Sequence, residues 1–571
     1  MTVVGSGPGL VHRPPHRRVI GRFAAMAAVI GIAMVVGGDA PPAINEAHYL
    51  VKAKNFWDAS YLGNDPFASS GKAHAMFYVV FGWPTRFCEL ATTAWIGRIA
   101  GWGLVAYGLT ELSWAMFRRF TPAIAITIIW IAVMHHGHLA GEWVFGGIEA
   151  KVPAYGLALI GLARFVRGNL SRSWVWWGGA SSMHVLTGGW SVVAGIVGCV
   201  VMSFKRRRVM SIKRRRVTSG KTVRNRGWFD RGLWIGGAIA LTGLVPAFAL
   251  SFGHDDAASA AMIYVYGRIP HHLLPSNFDA VRYRNHAVVV AAAIAFIAIQ
   301  RSVPLPRPRW DRLRAFATGV IGIEATGLML GVLPAFAPET AASLLRFYWF
   351  RLSDALLPLV IAIVATAWLN VGIRIGPRTA SRAVVASRLV LASRVVWASW
   401  AFFGLCVVAV AAIGYDAARG GLPVSVRRDI FQLPERSQHV ATAEFRDWID
   451  VCRWARQSTP VGTVFLTPRH QQTFKWYSER AEVVNWKDVP QDADRLIDWN
   501  RRMRDVFPPR GTGGRTPIMY SGLQRFRRRY QTQYMVVDHR VVPRPVPLQR
   551  VYPIDPSDND TFSVYALPPA D

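Results

Sequence analysis

A chain of 571 residues that is 52% hydrophobic and carries 23 Trp, with a mean hydropathy of +0.22, is too apolar for an ordinary soluble domain. Its net charge of +32 would suit nucleic acid, but the basic residues fall in short runs beside apolar spans. That pattern holds loops at an anionic membrane surface, so membrane lipids are the expected partners and nucleic acid is not. The four cysteines, Cys88, Cys199, Cys406 and Cys452, lack metal-ligand spacing and give no disulfide framework.

The basic region from Arg13 to Arg22 precedes the apolar run 23–36. Gly37-Gly38-Asp39-Ala40-Pro41 is a poor cleavage site, so 23–38 is read as an uncleaved first helix entering from the cytoplasm. Further membrane helices are expected near 87–113, 122–134, 152–165, 233–252, 287–299, 315–336, 355–371 and 395–412. The stretch 174–204 is too long for one crossing and short for two, so a pair of shortened helices broken at Gly188-Gly189 is expected there, crossing or re-entrant.

Every second connection is dense in arginine. The strongest is 205–231, with Lys205 to Arg208, Lys213 to Arg216, Arg224, Arg226 and Arg231; others carry Arg301 to Arg314 and Arg374 to Arg394. Cytoplasmic loops retain Lys and Arg. The fold expected is therefore an α-helical polytopic membrane protein of about eleven transmembrane helices with a small C-terminal extracytoplasmic α/β domain. It would sit in the cell membrane as a multi-pass protein, N-terminus cytoplasmic. Its parts are a basic N-terminus (1–22), a transmembrane domain (23–415) with outer loop 39–75 and basic cytoplasmic loop 205–231, and the α/β domain (416–571). Two short duplications, Ser203 to Met210 with Ser211 to Thr218 and the recurring Ala-Ser-Arg at Ala380, Ala386 and Ala392, read as anchoring charge.

In the C-terminal part, 444–457 is read as a helix with Phe445, Trp448, Val451, Cys452 and Ala455 on one face. Strands are expected at 463–466, 481–484, 534–537 and 562–565, helices at 470–477 and 492–506, and a Gly/Pro/Arg loop at 508–516.

Candidate chemistry lies in the arginine-poor connections. Tyr49, Leu50, Phe56 and Trp57 make the segment after the first helix amphipathic, suited to the membrane interface. Glu46 at its start is placed to take a proton from an acceptor hydroxyl or to cap the helix; His48 and Asp65 are further candidates. Glu142, Glu149 and Lys151 surround the start of the fourth helix, on a side where lysine is disfavoured. Lys151 is therefore expected to be held by Glu149 or Glu142, either as a structural pair or as a lipid-phosphate site. His184 is an ionisable residue deep in an apolar stretch. His254-Asp255-Asp256 with His271-His272 leaves a divalent cation open as a cofactor, against an ordinary solvated loop. Arg346, Arg351 and Asp354 give a weak phosphate-clamp signal. Thr467-Pro468-Arg469-His470, between a strand and a helix, would favour an anion.

The layout, together with Glu46-Ala47-His48-Tyr49-Leu50, Gly146-Gly147-Ile148-Glu149-Ala150-Lys151, His184 with Gly188-Gly189-Trp190, Thr473 to Tyr477 with Arg480, and Asn485 to Asp488 with Pro490 to Ala493, resembles the GT-C superfamily of polytopic glycosyltransferases. It is most similar to an uncharacterised bacterial family of predicted multi-pass proteins. The resemblance implies a polyprenyl-phosphate sugar donor, an extracytoplasmic acceptor, and an acid in the first outer loop as base or metal ligand, the position Glu46 occupies. The paired acids common there are replaced by Asn45-Glu46. The residues then expected at the site are Glu46 as catalyst and His48, Asp65, Glu142, Glu149, Lys151 and His184 around substrate. The alternative is a non-catalytic membrane protein, a transporter or an assembly scaffold.

Overall fold

Among the described residues of the computed structural model, seven helices are long and apolar enough to cross a membrane, and eight if one bent pair counts as a span. The structure describes residues 15–214, 230–250, 256–299, 303–374, 386–419, 437–508, 520–542 and 546–569. The helical part comprises α1 (Pro15–Gly37), α2 (Glu46–Trp57), α3 (Leu90–Phe117), α4 (Pro122–Gly137), α5 (Lys151–Arg167), α6 (Leu170–Met183), α7 (Val185–Arg214), α8 (Arg231–Ala249), α9 (Ala280–Ala298), α10 (Arg307–Leu330), α11 (Arg351–Arg374) and α12 (Ala386–Arg419).

The qualifying spans lie in α1, α7, α8, α9, α10, α11 and α12, and the bent pair is α3 with α4, at 116°. The expected count of eleven is not confirmed among the described residues. At 17 and 14 residues, α5 and α6 are short of bilayer length, and α3 folds back into α4. The span in α11 is 94% buried and forms the centre, whereas that in α12 is 11% buried. Phe23, Trp234, Val245, Val288, Met329 and Leu405 are exposed on outer helices. On helices of this length and hydropathy such a surface faces lipid, and the chain is a multi-pass membrane protein.

The break within 174–204 falls at His184, whose backbone is extended; Gly188 and Gly189 are helical. Glycine is needed at 188 for another reason. A Cβ there would stand 2.0 Å from the Ser181 nitrogen, because α6 and α7 fold back on each other at backbone contact. Gly188→Val should force the hairpin apart and cost about 1–3 kcal/mol, read as a fall in the melting temperature in detergent.

Arginines gather at one end of the bundle. Arg309 and Arg312 at the start of α10 donate to the carbonyls of Ala115 and Val166 at the ends of α3 and α5, where helix dipoles favour cations. Lys205 reaches Asp311 at 3.0 Å. The expected basic loop is helical as far as Arg214 and its end, Arg231, opens α8; residues 215–229, including Arg224 and Arg226, lie outside the described residues, as do Arg301, Arg378, Arg382, His254, Asp255 and most of the 508–516 loop.

The C-terminal domain stands at the opposite end. Its five strands are β1 (Val464–Leu466), β2 (Ala481–Glu482), β3 (Thr532–Asp538), β4 (Arg550–Tyr552) and β5 (Phe562–Ala566), in the order β2-β1-β3-β5-β4. β1 pairs parallel with β2 and β3, and β5 pairs antiparallel with β3 and β4. The Gln438–Ser458 helix lays Trp448, Val451, Cys452 and Ala455 against Phe465, Phe474, Val536 and Phe562, the face its spacing predicts. The Tyr520–Tyr530 helix and β4 were not expected, since an arginine-rich segment and a three-residue strand carry little apolar period.

Candidate functional site

A cavity of about 520 Å³ lies where the arginine-poor end of the bundle meets the α/β domain. Its wall includes His48, Tyr49, His74, Glu142, Glu149, Lys151, His184, Arg268, Arg351, Lys487 and Gln491. Five of the lining side chains are lysine or arginine and two are carboxylates, so the space favours an anion.

The loop between α4 and α5 supplies the carboxylates. The Asp354 carboxylate, on the first turn of α11, accepts the backbone N–H groups of Leu139 and Ala140 at 2.6 and 2.9 Å, which fixes the loop to the central helix. Lys151 Nζ lies 3.2 Å from Glu149 and 3.5 Å from Glu142, and 4.0 Å from the Trp143 ring centroid. The expected partners of Lys151 are both present. Glu149 also accepts from the Asn45 side-chain amide at 2.9 Å.

Arg351, at the head of α11, joins the groups. It holds Glu142 at 3.0 Å and donates to His184 Nε2 at 2.9 Å. On the other side of the ring, Nδ1 accepts the Thr187 backbone N–H at 3.2 Å and faces the Thr187 hydroxyl at 3.0 Å. The break before α7 thus sets His184 against Arg351. His184 stacks on His74, with ring centroids 5.1 Å apart. His74 Nε2 lies 3.4 Å from both the Tyr49 hydroxyl and the Gln491 amide; its Nδ1 is buried without a hydrogen-bond partner.

Burial, with Arg351 and Lys52 nearby, pushes His74 down to about 3. Burial beside His271 does the same to His272, also to about 3. Both rings are neutral at physiological pH. In the unfolded chain they would take up protons below about 6.5, so folded stability should fall as pH drops from about 6.5 towards 3. His74→Gln should flatten the dependence of melting temperature on pH between about 7 and 5; an unchanged slope would contradict the buried neutral ring.

Glu46 lies elsewhere. Its carboxylate is held by Arg98 through two bonds of 2.5 and 2.6 Å and accepts the N–H groups of Ala43 and Ile148, each at 2.7 Å. Both side chains are fully buried, and Glu46 is not among the cavity's lining residues. Gly147 packs so closely that a Cβ there would meet the carboxyl carbon at 2.8 Å. The Glu46 carboxylate is thus engaged by four donors within the protein. α2 is likewise packed inside, with Leu50, Val51 and Lys52 buried, instead of lying in the membrane interface.

Asp65 is also outside the cavity wall. It accepts the N–H groups of Phe67 and Ala68 at 3.0 and 2.7 Å and that of Glu482 at 3.0 Å. It thereby ties the first loop to β2. Beside it the buried Lys475 meets Glu482 and Asp488, the latter at 2.6 Å. His48 joins this network through Asp488 at 3.3 Å while lining the cavity.

The 470–477 helix is shortened to Phe474–Ser478, so Thr467 to His470 are not at a helix start and lose the expected anion site. His271 and His272 line the cavity. No group of three or more His, Cys, Asp or Glu among the described residues is arranged to hold a metal ion. His74 carries no signal in the sequence as a wall residue, and Lys487 shows only as part of the Asn485 to Asp488 motif, because the wall is assembled from segments far apart in the chain. Arg351 carried a signal: an arginine heading a fully apolar helix with Asp354 one turn on.

Fold and cavity together define a multi-pass helical membrane protein whose C-terminal α/β domain closes over a cationic cavity. Residues 446–506 match a family described as a domain of unknown function, DUF6798. No curated protein matches the chain. The chain is similar to the crystal structure of ArnT from Cupriavidus metallidurans bound to undecaprenyl phosphate, at 15% identity and TM-score 0.41, covering 97% of this chain and 99% of that one. It is also similar to ArnT of the same organism in the apo state, at 13% identity and TM-score 0.39, covering 96% and 98%. A likeness at these scores bears on neither the activity nor the ligand of this chain.

Proposed function

We propose that this protein is a membrane transferase that moves a sugar from a polyprenyl-phosphate donor to an extracytoplasmic acceptor, with the cavity beneath the α/β domain as its active site. The observation that carries the reading is the meeting of Lys151 and Arg351 with Glu142, Glu149 and His184 in one cationic cavity. Donor class comes from the resemblance in sequence layout. Orientation rests on the arginines gathered at the other end, the end that cytoplasmic retention favours.

In such a transfer the bond between the sugar's anomeric carbon and the phosphate oxygen breaks, and negative charge grows on the departing lipid phosphate. Lys151 and Arg351 are the cations that would steady it. The acceptor hydroxyl must lose its proton as it attacks. With Glu46 committed to Arg98, that role passes to a cavity carboxylate, and Glu149 is our assignment. Glu142 holds Lys151 and Arg351 in place.

Protein in lipid nanodiscs, given a panel of radiolabelled polyprenyl-phosphate sugars and an acceptor extract, should transfer label from one of them. Arg351→Gln should lower that transfer by about 100- to 1000-fold, the scale of losing one charge-stabilising donor. Glu149→Gln should lower the rate while leaving donor binding intact. Folded wild-type protein that transfers label from no donor, or full activity in Arg351→Gln, would overturn the proposal.

A further inference from the structure

At the end of the bundle opposite the cavity, guanidinium groups from several helices meet around a single carboxylate. Glu111 of α3 is 3% exposed. It is contacted by Arg164 at 3.0 Å, Arg167 at 3.1 Å and Arg22 of α1. Arg118, at the left-handed C-cap of α3, and Arg309 of α10 both lie within electrostatic reach of Arg167. One carboxylate neutralises one of these charges. The Glu111 carbonyl within α3 and the Ala115 carbonyl at its end take hydrogen bonds from Arg167 and Arg309, but a helix terminus supplies only about half a charge.

The remaining cations repel one another in a setting where water screens them poorly. Two of their donors are also unused: Nε of Arg22 and Nε of Arg164 are buried without a hydrogen-bond partner. The cluster is still reachable, since the side chains of Arg22, Arg164 and Arg167 keep 29%, 18% and 24% exposure. Arg22 is held between rings, 5.0 Å from the Tyr107 centroid and 5.2 Å from that of Phe120. Several guanidinium forks around one open point match the oxygens of a phosphate group.

We propose that this cluster is a second, independent site that binds a phosphate group, carried by an anionic lipid headgroup or by a soluble phosphate. The lipid source is favoured by the apolar surface beside it. Val19, Ile20 and Phe23, flanking Arg22 on α1, are 54%, 64% and 64% exposed and would lie along acyl chains. The site is remote from the cavity and does not depend on the transferase reading.

Native mass spectrometry of the full chain, offered phosphatidylglycerol and phosphatidylcholine in equal amounts, tests it. Wild type should retain phosphatidylglycerol with a preference of about tenfold, the scale of a few basic contacts to an anionic headgroup. The Arg164→Gln/Arg167→Gln protein should lose that preference. A melting-temperature rise with sodium phosphate in neutral detergent, abolished in the same variant, would assign the site to soluble phosphate. Should the double variant fail to fold, Glu111→Gln keeps every arginine, removes the internal competitor and must sharpen the preference. Equal retention of the two lipids without a phosphate response, or a preference that survives the arginine substitutions or weakens in Glu111→Gln, would overturn the proposal.

Discussion

Replacing Lys475 by methionine is expected to destabilise the α/β domain and its docking on the first loop by about 3–5 kcal/mol, the cost of leaving buried charges uncompensated. Lys475 is 3% exposed and is the cation among Asp65, Glu482 and Asp488, all buried. Burial alone would raise Asp488, but Lys475 and His48 beside it outweigh that and hold its carboxyl well below the usual carboxylate range. Burial raises Glu482; Lys475 opposes this, while Asp488 and Asp65 add to it.

The pH dependence should therefore change sign locally. In wild type the Asp488 contribution is present above about pH 4, its unfolded value, and is lost as pH falls towards the folded one. Without Lys475 the clustered carboxylates resist ionising together, so the variant should gain stability relative to wild type as pH drops from about 7 to 5. Melting curves of both proteins in detergent at the two pH values would show it. A variant that melts like wild type, or whose deficit against wild type does not shrink on acidification across that range, would contradict the network.

Arg98→Leu should be comparably severe, about 3–5 kcal/mol. Arg98 and Glu46 are fully buried, and the substitution leaves a carboxylate with only the Ala43 and Ile148 N–H groups for compensation. The Glu46 carboxylate pins Ile148, the neighbour of Glu149, so transfer activity should fall together with stability. Glu46→Gln/Arg98→Met removes both charges and should recover much of the lost stability, because a charge pair replaced as a pair leaves no orphan. Thermal melts of the single and double variants measure the coupling; strictly additive losses would mean that the two side chains do not act as a pair.

The parts legible in the sequence were those written in local pattern. The arginine-dense connections were legible as runs beside apolar spans, although the helix ends that Arg309 and Arg312 reach, at Ala115 and Val166, lie far away in the chain. The helix containing Trp448 and Val451, and strands β1, β2, β3 and β5, follow from apolar period. Lys151 was readable as a paired lysine because its partners lie two and nine residues away. Glu46 was not readable as structural, since its partner Arg98 is 52 residues on, inside an apolar run that gives no sign of a buried charge. The glycine pair at 188–189 was misleading because close helix contact and helix breaking both call for glycine; only the backbone of Ser181 distinguishes them. His74 reaches the cavity through a loop whose path depends on the α/β domain, where Gln491 meets it.

The proposed role of the cavity requires that it take a lipid phosphate. The direct measurement is binding of a polyprenyl phosphate to the purified protein in neutral-lipid nanodiscs, beside the uncharged polyprenol, for wild type, Arg351→Gln and Arg164→Gln/Arg167→Gln. Saturable binding that needs the phosphate, is lost in Arg351→Gln and survives in the Arg164/Arg167 variant is the predicted result. Equal binding of phosphate and alcohol, or binding indifferent to Arg351, would contradict the cavity as a lipid-phosphate site.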